Sequence, residues 1–169
     1  MTLDQLTIRV AERQDLAELD HLFARSYPAL LKPDYPPSLL VTAVPLISRA
    51  NPRLIASGTF FAVCRADGKI VGAGGWTRAA PPGFSARGGV GNIRHVVTDK
   101  DHVRQGIGAR LMAHIFKTAS TEGLSRLDCL ATRTAVPFYM ASGFQVLGPV
   151  SVPLAPGIDF PAIRMQRLL

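Results

Sequence analysis

Asn92-Ile93-Arg94-His95-Val96-Val97-Thr98, followed after a polar turn by Val103-Arg104-Gln105-Gly106-Ile107-Gly108-Ala109, sets the architecture of this chain. The first segment carries the β-branched run of a strand, and Asp99 to His102 ends it. From about Gly106 to Ser120, Ile107, Leu111, Ile115 and Ala119 recur at helical spacing, with Gly123 as the stop. A strand that feeds a glycine turn into a helix makes an anion site. The first amides of the helix have no internal partner, and its dipole is positive there. Gly106 and Gly108 let backbone come close to a phosphate oxygen, Arg104 adds a charge beside it, and Arg110 lies one turn further in. The competing reading of the two glycines is tight packing at a helix start. A P-loop would need G-x-x-x-x-G-K-[ST], and a dinucleotide fingerprint would need Gly where Leu111 stands.

Upstream, Leu3 to Val10 alternates as a strand, and Asp15 is placed to cap a helix whose apolar face is Leu16, Leu19, Leu22 and Phe23, weakening at Tyr27-Pro28. A second helix is expected from Ser38 to about Arg49, with Pro45 as a kink or boundary and residues 32 to 37 as a loop before it. Thr59 to Arg65 and Lys69 to Thr77 flank Ala66-Asp67-Gly68 and read as a hairpin. Ala79 to Gly91, rich in Pro and Gly, reads as a mobile connection. Downstream come a strand from Leu124 to Thr132, a short helix from Ala135 to Ala141, and strands at Phe144 to Leu147 and Ala162 to Leu168. A strand-helix-strand unit inside a largely antiparallel set gives the class α+β.

The 169 residues suit one domain, 1–169, and 47% hydrophobic against 18% charged residues is a globular composition. No apolar run is long enough to span a bilayer, and Met1 to Gln5 lacks a leader pattern, so a soluble cytoplasmic protein is expected without membrane contact. Cys64 and Cys129 lie in apolar runs without metal-site spacing, which reads as buried free thiols and no metal. A formal charge of +7 favours an anionic ligand. The basic residues are scattered without interleaved aromatics, so nucleic acid is not expected, and a ligand bearing several phosphates accounts for the charge equally well.

The segment Val103 to Gly108 resembles the Q/R-x-x-G-x-G/A signature of the GNAT family of coenzyme-A-dependent N-acetyltransferases. Ile93 to Thr98 looks like that family's fourth strand, and Ala135-Val136-Pro137-Phe138-Tyr139-Met140-Ala141-Ser142-Gly143-Phe144 resembles its A-x-x-F-Y-x-x-x-G-F segment. The resemblance implies a mixed, mostly antiparallel sheet of six to seven strands with about four helices. It implies transfer of acetyl from acetyl-CoA, as co-substrate, to a primary amine of a small molecule or peptide, by direct attack through a tetrahedral intermediate. A homodimer is compatible with it. By the same resemblance, backbone groups of Val96, Val97 and Thr98 hold the pantetheine arm and the thioester carbonyl. Arg104, Gln105, Gly106, Ile107, Gly108 and Ala109 bind the pyrophosphate. Tyr139 protonates the leaving thiolate, and the Thr132 hydroxyl, where many relatives have Asn, bonds the coenzyme.

Two departures stand out. Val103 replaces the Gln or Arg that opens the signature, and Asn92 stands where some relatives carry a Glu that takes the amine's proton. His95 is a substitute base only if a bulge brings it to the face of Asn92 and Arg94; otherwise it packs. Asp128 is a second candidate with a structural alternative, which leaves deprotonation through water. Tyr27, Tyr35, Trp76 and Phe84 are possible pocket walls. An acyl-CoA-binding regulatory protein with little or no turnover is the alternative function, and the missing carboxylate at Asn92 is its support.

Overall fold

A computed structural model describes residues 5–169. β1 (Thr7–Val10) is followed by a 3-10 turn at Arg13–Asp15 and by α1 (Leu16–Leu31). Leu3 and Asp4 of the expected first strand lie outside the described residues. Asp15 occupies the N-cap position of α1, but its side chain makes no capping bond into that helix: its carboxylate accepts from the Glu12 amide at 2.7 Å and pairs with Arg9 at 2.7 and 2.8 Å, closing the 3-10 turn instead. α1 continues through Pro28, beyond the expected stop.

Next come α2 (Pro37–Ile47), which holds Pro45 inside it, and a single turn, α3 (Pro52–Ile55), capped by the Asn51 side chain. β2 (Phe60–Cys64), β3 (Ile70–Thr77), β4 (Val90–Thr98), α4 (Ile107–Thr121), β5 (Arg126–Ala131) and α5 (Val136–Ala141) fall close to their expected bounds. α4 ends as Gly123 predicts: the Leu124 amide reaches the Ala119 carbonyl at 3.1 Å and the Gly123 amide reaches Ser120 at 3.0 Å.

The last two strands differ from expectation. β6 (Gln145–Ala155) and β7 (Ile158–Leu168) form a hairpin with 11 residues in each arm, where only two short strands were read. Pro149 and Pro153 hid it. They are tolerated because β6 is the edge of the sheet, where a strand side without partners needs no amide donor.

The seven strands form one sheet in the order β1-β2-β3-β4-β5-β7-β6, antiparallel throughout except for the β4–β5 pair. The class is α+β with a mostly antiparallel sheet. One face is covered by α1, whose Leu19, Leu22 and Phe23 pack with Phe60, Ala62, Ile70 and Val97. The other is covered by α4, whose Ile107, Leu111, Met112 and Ile115 pack with Val63, Val71, Trp76 and Leu127. Each such fully buried side chain contributes about 1.5–3 kcal/mol, so α4 is held by its apolar stripe more than by its own propensity. α2 lies over the hairpin, with Leu39, Leu40, Val44 and Ile47 beside Val150, Val152 and Phe160.

Candidate active site

β4 and β5 pair at three positions only, Val90 with Arg126, Gly91 with Leu127 and Asn92 with Asp128. Beyond Asn92 the strands diverge, while β4 stays bonded to β3 on its other side. The Asp99 amide donates to the Val71 carbonyl at 2.8 Å, so strand alternation turns the Thr98 backbone away from β3 and into the gap. A cavity of about 510 Å³ fills that gap, with Ile93 to Thr98 on one wall and Cys129 to Thr132, Phe138 and Tyr139 on the other. Val96, Val97, Thr98, Thr132 and Tyr139, widely separated in sequence, therefore meet at one cavity.

A bulge shapes the β4 wall. Val97 faces Ala73, but Arg94 faces Gly75, so β4 carries one extra residue there, and His95 takes a left-handed φ of 46°. Strict alternation would separate His95 from Asn92 and Arg94; the bulge instead brings it to their face. The His95 ring stacks on Phe23 at 5.6 Å, and its Nδ1 lies 3.1 Å from the Tyr27 hydroxyl. Burial, with help from the Arg94 charge, lowers its pKa to about 4, so it is a neutral and weak base. Val96 turns to the opposite face and packs beside Gly74, and Val97 is buried in the α1 core. By the alternation that turns Thr98 into the gap, the Val97 backbone faces β3, where it pairs with Ala73, so of this run Thr98 has the backbone turned to a ligand.

Tyr139 is buried between Phe138 and Phe144, in edge contacts of 5.2 and 5.3 Å. Burial first, and the neighbouring Cys129 thiol second, raise its pKa well above the ordinary phenol value, so it holds its proton across neutral and alkaline pH. Cys129 is itself pushed up to about 12 by burial and stays a thiol; Cys64 is likewise free and buried. Thr132 lines the cavity, but its hydroxyl accepts from the Ala135 amide at 3.3 Å and caps the turn before α5.

The glycine segment begins α4. Arg104 and Gly106 have left-handed φ of 60° and 79°, Gly106 is the N-cap, and no acidic residue occupies the first turn. Successive amides in such a turn converge on one point and suit an anion. Arg104 and Gln105 are exposed, whereas the Ile107 side chain is buried in the core and leaves only backbone to a ligand. Gly108 packs: a Cβ there would stand 2.8 Å from the Phe138 ring. The cavity does not itself reach Arg104 to Ala109, and Phe138 is the wall common to both.

The candidate bases find other employment. The Asn92 amide donates to the carbonyls of Thr77, Arg78 and Ala79 at 3.3–3.4 Å, tying β4 to the segment after β3. Asp128 is paired with Arg126 at 2.9 Å and with Arg164 at 3.9 Å. Among the described residues, no Asp or Glu lines the main cavity. Among the suggested pocket aromatics, Tyr27 lines it. Tyr35 is buried elsewhere, donating to the Pro161 carbonyl at 2.8 Å; Trp76 is core; and Phe84 lines a smaller pocket with Arg87, Asn92 and Arg164. Sequence reasoning missed Arg94 as a cavity wall, and it missed Val152, Leu154 and Phe160. The alternation Val150, Val152, Leu154 was the signal available for that hairpin.

Residues 32–165 match the family model of the acetyltransferase (GNAT) domain. No curated protein matches the sequence. Among solved structures, the chain is similar to a GCN5-related N-acetyltransferase from Rhodopseudomonas palustris, with TM-score 0.77 and 19% identity over 100% of this chain and 99% of that one. It is similar to the PaiA N-acetyltransferase of Thermoplasma acidophilum in complex with coenzyme A, with TM-score 0.72 and 15% identity over 97% and 99% of the two chains. The ribosomal-protein-S18-alanine N-acetyltransferase of Escherichia coli is similar with TM-score 0.64 and 18% identity over 96% and 93%. At these identities the likeness concerns the fold.

Proposed function

The chain belongs to the GNAT acetyltransferase family, and on that premise we propose that it is a single cytoplasmic domain, 1–169, transferring acetyl from acetyl-CoA to a primary amine of a small molecule or peptide. The observation that carries this reading is the divergence of β4 from β5 after Asn92, with Tyr139 on the opposite wall of the gap. The residues present fit the coenzyme: strand backbone without a partner at the gap, a helix start free of acidic residues, and an exposed Arg104 beside it. Two of the solved structures it resembles are described as complexes with coenzyme A.

When bound, acetyl-CoA supplies an activated acetyl thioester. The Thr98 region of β4 holds the acyl end, and its preorganised N–H dipoles favour the negative charge that grows on the carbonyl oxygen as the amine attacks. Amides from Gly106 to Ala109, with Arg104, hold the pyrophosphate. Tyr139, which retains its proton, gives it to the departing sulfur. The proton lost by the attacking ammonium passes to water, because no carboxylate among the described residues lines the cavity and His95 binds protons weakly.

Release of free thiol from acetyl-CoA in the presence of a panel of amines tests the reading. Amine-dependent release that falls sharply in Tyr139→Phe supports it. Coenzyme binding without release for any amine would favour the regulatory alternative.

A further inference from the structure

Among the described residues, the main cavity is lined by one charged side chain, Arg94, and by no Asp or Glu. Part of the lining is apolar and comes from three elements: Leu30 of α1, Leu46 and Ile47 of α2, and Val152, Leu154 and Phe160 of the hairpin. Arg94 is half-buried, and its one hydrogen bond among the described residues runs from Nη1 to Thr77 Oγ1 at 3.3 Å; no carboxylate pairs with it there. A guanidinium has five N–H donors in a planar fork. Removing such a group from water without a counter-ion is unfavourable unless a ligand supplies the missing anion.

From this juxtaposition we propose that the acceptor is an amine with an apolar body and a single carboxylate, which forms a bidentate pair with Arg94 while the apolar body lies against the α2 and hairpin walls. The inference rests on the acetyl-transfer reading above and narrows its substrate class. A carboxylate, rather than a phosphate, matches one guanidinium: a dianion would leave one charge unpaired in a cavity whose other described lining residues are uncharged. Burial is the main reason for the lowered proton affinity of His95 nearby, and the Arg94 charge adds to it.

The experiment compares isosteric pairs as acceptors: phenylalanine with phenylalaninamide, and 4-(aminomethyl)benzoate with 4-(aminomethyl)benzamide, which spans a longer distance. Glycine serves as the carboxylate without an apolar body. Binding of the five N-acetylated products is measured in parallel by calorimetry, with and without coenzyme A. The expected result is that at least one carboxylate is preferred over its amide by about tenfold or more in kcat/KM or product affinity, with glycine poor. Arg94→Gln should remove that preference, and Arg94→Lys should retain part of it, while affinity for coenzyme A stays within about twofold. Equal use or binding of acid and amide in both pairs by the wild type overturns the proposal, whatever becomes of the variants. So does a preference that survives in Arg94→Gln. If neither coenzyme A binding nor thiol release is found, the acetyl-transfer reading fails as well; acetyl transfer without carboxylate preference sinks the acceptor class alone.

Discussion

The Phe138 ring of α5 closes on Gly108 of α4 so tightly that a Cβ at Gly108 would stand 2.8 Å from it. The second glycine of the signature thus does two things at once: it lets α4 start against the wall of the cavity, and it leaves its amide in the first turn. Gly108→Val should then lower stability by about 1–3 kcal/mol as Phe138 is displaced, in addition to weakening coenzyme A binding. In Gly108→Val combined with Phe138→Ala, the loss should be smaller than the sum of the single changes. Denaturant unfolding and calorimetry on the four proteins check this, and strict additivity would sink the packing account.

In the proposed reaction Tyr139, on the cavity wall, gives its proton to the departing sulfur. Tyr139→Phe keeps the ring packing against Phe138 and Phe144 while removing the hydroxyl. Turnover should fall by about 10²-fold or more, with the KM for acetyl-CoA within about twofold. Because its proton is held well above the ordinary phenol range, turnover should show no loss assignable to Tyr139 between neutral pH and pH about 10. Steady-state kinetics across that range separate these outcomes.

His95 contributes to stability through its neutrality. Its folded-state pKa of about 4 lies below the unfolded value of 6.5, so the unfolded chain binds the proton first. The native state should keep full stability above the unfolded value and lose it as pH falls from there toward the folded one. His95→Asn, which tolerates a left-handed φ and does not titrate, should flatten that part of the profile. Urea midpoints measured from pH 7 to pH 4 for both proteins give the comparison. An equally steep fall in the variant would assign the loss to other groups.

Asn92 holds three carbonyls and sits opposite Asp128 in the parallel register. Introducing a carboxylate as Asn92→Asp should not create a general base. It should destabilise the protein by about 1–3 kcal/mol, because an acceptor replaces a donor beside carbonyl oxygens. A rise in amine-dependent thiol release in Asn92→Asp, with stability unchanged, would contradict the structural role given to this residue.

Legibility followed the range of the forces involved. Local patterning was enough for α4, from its N-cap at Gly106 to its end at Gly123, for the β2–β3 hairpin, and for the α+β class, because helical and strand periods and turn chemistry are written in neighbouring residues. The family resemblance grouped Val96 to Thr98 with Tyr139, and in the fold these residues line one cavity. What the sequence alone could not supply was everything that depends on partners distant along the chain. The bulge at His95 exists only in the pairing of β4 with β3, and the eleven-residue arms of the last hairpin persist because an edge strand tolerates Pro149 and Pro153. Asp15 bonds back to Arg9 rather than forward into α1. Only the folded sheet sets the gap after Asn92, and only there does Arg94 become the one charged side chain among the described residues that line it, since burial and pairing are properties of the packed structure.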